Sequence, residues 1–259
     1  MEIDLFKIAH RLRQALETAK AIDPISNEIG ASNVHAAYTI QNINNQIRLS
    51  EGQVCIGHKI GLTSKSVQKQ IGIDQPDYGR LYSYMQIESG GHFPSTKLIQ
   101  PKVEGEVAFV LAKDIDEPIH THQSLLENIE TICASIELVD SRIENWNIKI
   151  SDTIADNASA AYFTLSENKI NPNEFDFKDC EMELKINEEV VSTGTGKACM
   201  DNPINAVIWL ANKLIQSGDK LKKGDIVLSG ALGKFVDINK GDHAQVNISG
   251  LGSASLYID

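Results

Sequence analysis

The sequence predicts an α+β fold. A short helical region covers residues 1–50, and a β-rich body with a few packed helices covers residues 51–259, the two forming one continuous functional unit. Three observations carry this. Near the N-terminus, Leu5, Ile8, Leu12, Leu16 and Ala19 recur at helical spacing. The middle of the chain holds short runs of β-formers bounded by glycine, such as "QVCIGHKIGL". From about residue 181 the pattern becomes alternating runs separated by turn residues.

Taken in order, residues 3–22 read as an amphipathic helix ending before "DPIS". A second helix covers "NVHAAYTIQNINNQIRLS", with Ser32 as its N-cap and Gly52 just past its end. "QVCIGHKIGL" is a strand, "TSKSVQKQIGI" a short helix, and "DQPDYGRLY" a turn-rich segment. Residues 104–111 are a strand, "THQSLLENIETICA" a helix, and "SIELVDSRI" a strand again. "EMELKINEEVV" is a hairpin around an Asn-Glu turn. "PINAVIWLANKLIQSG" is a helix with Pro203 at its start and Gly218 as its stop. The remainder is a string of short strands.

Composition narrows the function. A formal net charge of -11 argues against a nucleic-acid partner, because phosphate neutralisation needs a basic surface. It leaves room for a small anionic substrate, since a cation and a lysine can reverse the field inside an acidic protein. No run of 18 apolar residues marks a membrane span. "MEIDLFKIAH" lacks the basic and apolar regions of a signal peptide, so a cytoplasmic location is expected. Cys55, Cys133, Cys180 and Cys199 form no CxxC pair and read as reduced thiols.

The chemistry concentrates in "VEGEVAFVL", residues 103–111. Strand side chains two apart share a face, so Glu104 and Glu106 point together while Val107, Phe109 and Leu111 pack on the other side. Glu137, in "ASIELVDS", shares its face with Ser135 and Val139. Three carboxylates from two strands suit Mg²⁺ or Mn²⁺. Solvent-facing strand glutamates give the same pattern at about even odds. Lys59, inside an apolar strand, suggests a lowered pKa and acid–base or anion-binding work, although an edge-strand lysine with its ammonium in water reads the same way. Asp77, in "QPDYG", is ordinary turn chemistry taken alone. Ser159 in "ADNASAAY" and Gly230, Ala231 and Leu232 in "SGALG" are substrate-binding candidates, the latter through backbone N–H groups. "STGTGK", residues 192–197, fails as a phosphate loop: Val191 stands where the first glycine belongs, and Ala198 follows the lysine.

"GHKIGLTSKSVQKQIGIDQPDYGRL", "KVEGEVAFVL", "SIELVDSRI", "ADNASAAY" and "GDIVLSGALG" occur in this order. Together they resemble the 2-keto-4-pentenoate hydratase family of the fumarylacetoacetate hydrolase superfamily, over nearly the whole chain. The resemblance implies a β-roll or barrel-like body with the N-terminal helices packed outside. It implies a divalent cation on Glu104, Glu106 and Glu137, and catalytic roles for Lys59 and Asp77. The implied reaction adds water to 2-hydroxypenta-2,4-dienoate, an enol acid of aromatic meta-cleavage catabolism, to give 4-hydroxy-2-oxopentanoate. A 2-oxo or 2-hydroxy acid substrate, a homo-oligomer and a complex with a pathway enzyme are expected partners. Rival readings are a 4-oxalocrotonate-type decarboxylase, a 2-oxohept-3-enedioate hydratase, and a non-catalytic partner subunit. A diacid would need a further basic residue, for which Arg80 and Arg142 stand available by position.

Overall fold

The computed structural model describes residues 3–65, 68, 69, 73 and 75–259. Three helices open the chain: α1 (Leu5–Thr18), α2 (Ser26–Ile29) and α3 (Val34–Ser50). Asp4 caps α1 by accepting from the Lys7 N–H. At α3 the cap is Asn33 rather than Ser32, its Oδ1 accepting from Ala36 N at 3.1 Å. Asparagine does this as well as serine, and it stands at the position whose side chain reaches the third N–H.

Strands β1 (Cys55–Gly61), β2 (Asp77–Tyr82), β3 (Gln86–Ile87), β4 (Gly91–Phe93) and β5 (Pro101–Leu111) follow. The short helix expected over residues 63–73 lies partly outside the described residues. "DYGRLY" is not a turn but strand β2, because its Tyr78, Leu81 and Tyr82 find buried places beside β1. The helix expected over "THQSLLENIETICA" shrinks to α4 (His122–Leu126), and β6 (Ile129–Asp140) takes the rest. β-branched Ile129, Thr131 and Ile132 favour the strand, which pairs antiparallel with β5 over its full length.

Then come α5 (Ile150–Ala155), β7 (Ala160–Leu165), β8 (Glu181–Ile186), β9 (Glu189–Thr195), α6 (Pro203–Gln216), β10 (Ile226–Leu228), β11 (Val236–Asp237), β12 (His243–Ile248) and β13 (Gly252–Ile258). The β8–β9 turn is Asn187-Glu188, both at positive φ, the primed geometry that suits a two-residue hairpin.

One eight-stranded sheet runs β2-β1-β10-β5-β6-β7-β3, with β11 also on β5, and a five-stranded sheet runs β4-β13-β12-β8-β9. Both are mixed: β1 pairs parallel with β10, β3 with β7, and β13 with β4. The main core lies between the sheets. Val107, Phe109, Ile136 and Leu138 from β5 and β6 meet Val246, Ile248 and Leu256 from the second sheet and Val207 and Leu210 from α6. Each such buried side chain contributes about 1.5–3 kcal/mol. A second core joins the N-terminal helices to the body, with Ile8, Leu12 and Ile40 against Ile143, Ile148, Ile154 and Phe235. Among the described residues no helix is long and apolar enough to cross a membrane, and the four cysteines are free.

Candidate functional site

The pairing of β5 with β6 builds the centre of the site. Glu104 stands directly opposite Glu137, and Glu106 opposite Ser135, so the three carboxylates emerge on one face while the core packs on the other. Their ligand atoms lie within 4.8 Å of one another. The solvent-facing alternative fails, since Glu104, Glu106 and Glu137 are 8%, 0% and 1% exposed. Gly230 N donates to Glu106 Oε2 at 2.8 Å, whereas Glu106 Oε1 is buried without a partner.

Burial and then the neighbouring Glu137 push Glu104 up to about 7. Burial, with Glu137 and Glu104 beside it, lifts Glu106 well above the carboxylate range. Burial raises Glu137 too, against the pull of Lys59. Three buried carboxylates against one ammonium leave an excess of two negative charges when all are ionised. Together with unpartnered oxygens, that excess is what a hard divalent cation relieves, so the donor set fits Mg²⁺ or Mn²⁺.

Lys59 lies on β1, held between β2 and β10, and is 2% exposed, which rules out an ammonium in water. Its Nζ donates to Ala158 O at 3.0 Å and stands 3.1 Å from Glu137 Oε2. The second contact is an ion pair that misses good hydrogen-bond alignment, as Glu137 Oε2 is otherwise unpartnered. The lowered pKa suggested by an apolar strand is not found. Burial does work against the charge, but Glu137, Glu104, Asp77 and Glu106 outweigh it, and the pKa is raised. His58, facing the other way, has neither ring nitrogen partnered, and burial followed by the Arg80 charge drops its pKa to about 3.

Asp77 opens β2, 1% exposed, opposite Gly61 of β1. Thr153 of α5 donates to its Oδ2 at 2.8 Å, and its Oδ1 is buried with no partner. Gly61 leaves room for Asp77, because a Cβ there would push against Asp77 Oδ1 and displace the carboxylate. Burial raises the Asp77 pKa, against Lys59 and the Thr153 hydrogen bond.

One pocket gathers Lys59, Asp77, Glu104, Ser159 and Ala231. Ser159 sits in a tight turn at φ 55, its buried Oγ unpartnered. Gly230 adjoins through its N–H to Glu106; its φ of 102 and the Thr63 side chain packed on its Cα leave no room for a Cβ. Leu232 lies outside this set: its side chain is in the main core, and its N–H donates to Gly105 O at 3.0 Å. The N–H groups of Gly230 and Leu232 are thus given to the protein itself.

The arginines are also committed elsewhere. Arg142 is buried against Asp156 and three backbone carbonyl contacts, and Arg80 pairs with Asp219 at 2.9 Å. Residues not singled out from sequence complete the pocket: Leu62, Thr63, Val139, Trp146, Thr153 and Phe235. Thr63 had a signal in its place four residues after Lys59 on the same segment. Trp146 and Phe235, stacked at 5.8 Å, come from distant loops and had none.

The chain is similar to known proteins along nearly its whole length. The family model "Fumarylacetoacetate (FAA) hydrolase C-terminal" matches residues 64–257. The chain is 45% identical to 2-keto-4-pentenoate hydratase 1 of Dechloromonas aromatica (strain RCB), over 94% of this chain and 93% of that protein. It is 38% identical to the 2-hydroxyhexa-2,4-dienoate hydratase of Comamonas testosteroni, over 95% and 94%. Among solved structures, the 4-oxalocrotonate decarboxylase of Pseudomonas putida G7, complexed with magnesium and adipate, superposes with a TM-score of 0.93 at 28% identity, over 98% of this chain and 97% of that one.

Proposed function

The chain belongs to the 2-keto-4-pentenoate hydratase group of the fumarylacetoacetate hydrolase family, and from that premise we propose that it hydrates 2-hydroxypenta-2,4-dienoate to 4-hydroxy-2-oxopentanoate. It is a hydro-lyase of aromatic meta-cleavage catabolism, working in the cytoplasm as a homo-oligomer. The observation that carries the reading is the buried glutamate triad beside a pocket that also holds Lys59 and an Asp77 oxygen without a partner.

Glu104, Glu106 and Glu137 would hold the cation, Mg²⁺ or Mn²⁺. When bound, it supplies Lewis-acid stabilisation of the charge that develops on the substrate's 2-oxygen. The protein's own groups handle protons and water. Overall, C5 gains a proton as the dienol becomes a 2-oxo-3-ene, water adds at C4, and C3 gains a proton, so that one water enters and no carbon leaves. Lys59, held charged by four carboxylates, acts as a donor and anchors the anionic substrate rather than serving as a base. Asp77, lifted by burial, takes and returns protons at Oδ1 or holds the water aimed at C4. The Ser159 hydroxyl binds the substrate carboxylate.

The pocket favours a monoacid over a diacid. Its lining includes the apolar Leu62, Val139, Trp146 and Phe235, and Lys59 is the only basic side chain lining it among the described residues. With Arg80 and Arg142 bound elsewhere, no second basic side chain among the described lining residues is left to receive another carboxylate. The test is purified protein with Mg²⁺ and fresh dienoate. Loss of its ultraviolet absorbance with a product one water heavier supports the reading. Release of CO₂ from 4-oxalocrotonate, with the dienoate untouched, overturns it.

A further inference from the structure

We propose that Thr153 is a positioning residue for Asp77, and that the N-terminal helices hold it in place. This rests on the proposed role of Asp77. Asp77 has two oxygens in unlike settings. Oδ2 accepts from the Thr153 hydroxyl at 2.8 Å, and Oδ1 lies over Gly61 with no partner, at the pocket. A carboxylate with one unrestrained torsion turns readily, and the Thr153 bond fixes the plane of the group so that one oxygen stays free toward the pocket. Thr153 is itself 4% exposed and lines the same pocket, so its hydroxyl is held where Asp77 needs it.

The support behind Thr153 reaches far along the sequence. Gln41 of α3 donates through one nitrogen to Tyr78 O at 2.9 Å and Ile154 O at 2.8 Å. Tyr78 follows Asp77, and Ile154 follows Thr153. One buried amide therefore fastens the strand carrying the acid to the helix carrying its partner. Asp152, the residue before Thr153, accepts from Ser26 N at 2.7 Å and from Lys149 N at 2.8 Å, fixing the start of α5 against α2. Such a chain of contacts holds a reacting group to within the tolerance that catalysis needs.

The experiment uses the full chain with saturating Mn²⁺ and the dienoate, in Thr153→Val, Thr153→Ser, Asp77→Asn and the Thr153→Val/Asp77→Asn double variant. Thr153→Val keeps shape and deletes the donor. It should lower kcat about 10–100-fold with KM and Mn²⁺ affinity little changed. Thr153→Ser, which keeps the hydroxyl, should restore most of kcat. In the Asp77→Asn background Thr153→Val should cost nothing further, because the group it positions is already disabled. Thr153→Ala carries the same expectations if Thr153→Val fails to fold. Wild-type kcat in a folded Thr153→Val, beside an inactive Asp77→Asn, overturns this inference and leaves the proposed function standing. An equal loss from Thr153→Val in both backgrounds marks a merely structural role and overturns it too. Wild-type turnover in Asp77→Asn removes the proposed role of Asp77 itself, and the inference with it.

Discussion

Stripping the divalent cation should make the protein progressively less stable, relative to its cation-bound form, as pH rises from 5 to 8. Glu104 carries the magnitude. Its pKa rises from 4.5 to about 7 in the folded chain, through burial and then Glu137. The folded state thus binds the proton more tightly than the unfolded one. Below about 4.5 the group is protonated in both states and its contribution is fully favourable. Between 4.5 and 7 the unfolded chain gives up the proton first, and stability falls. The full shift is worth about 3 kcal/mol. For a chain of this size that is a melting-point change of about 6–12 °C. Glu106, raised for the same reasons, adds in the same direction. His58 acts in the opposite sense, because its pKa is depressed to about 3 and its neutral form is favoured as pH rises toward 6.5. It is no cation ligand, so the difference between cation-saturated and metal-free melts cancels it. The assay is thermal unfolding with excess Mn²⁺ and with a chelator, at half-unit pH steps. The stabilisation by Mn²⁺ should grow across this window. A stabilisation independent of pH, or none at pH 8, would refute the assignment of these carboxylates as ligands.

Three other changes follow from the same geometry. Glu106→Gln should weaken Mn²⁺ binding about 100-fold or more by calorimetry, and equal affinity in the two proteins removes Glu106 from the ligand set. Lys59→Ala should bind Mn²⁺ yet lose turnover by about 100-fold or more; a steady-state rate near wild type, in a variant whose melt shows a folded protein, returns Lys59 to a structural role. Asp77→Asn should slow entry of ¹⁸O from H₂¹⁸O at C4, read by mass spectrometry after exchange at the 2-oxo group is washed out, while the substrate still binds.

How much of this was legible beforehand depends on the distance between interacting residues. Glu104 and Glu106 are two apart, and strand periodicity alone puts them on one face. Glu137 was a candidate from the face it shares on its own strand, but the pairing register that sets it opposite Glu104, 33 positions away in the chain, could not be read from periodicity, and the family resemblance supplied the reason to group the three. The errors have a shared cause. Asp77 follows a proline and stands two residues before Gly79, which reads as a turn until β1 supplies a partner strand for Tyr78, Leu81 and Tyr82. Ile129 and Ile132 fitted helical spacing until β5 offered them pairing along its length. In each case tertiary pairing overrode a local signal.

Charge shows the same dependence on surroundings. An apolar strand around Lys59 argued for a depressed pKa, and the argument was sound for burial alone. What decided the sign was four carboxylates contributed by β2, β5 and β6, none within 15 residues of Lys59 in the chain. Thr153 is the extreme case. Nothing in "SDTIADNASA" distinguishes its hydroxyl from that of any helix threonine. Its meaning comes from one contact to Asp77, 76 positions away, and from a glutamine on an N-terminal helix that ties the two segments together. On the proposed roles of Asp77 and Thr153, the helices outside the β-rich body would bear on the chemistry through the backbone they hold. Substitutions in their buried polar residues should appear first as losses in kcat rather than in cation affinity.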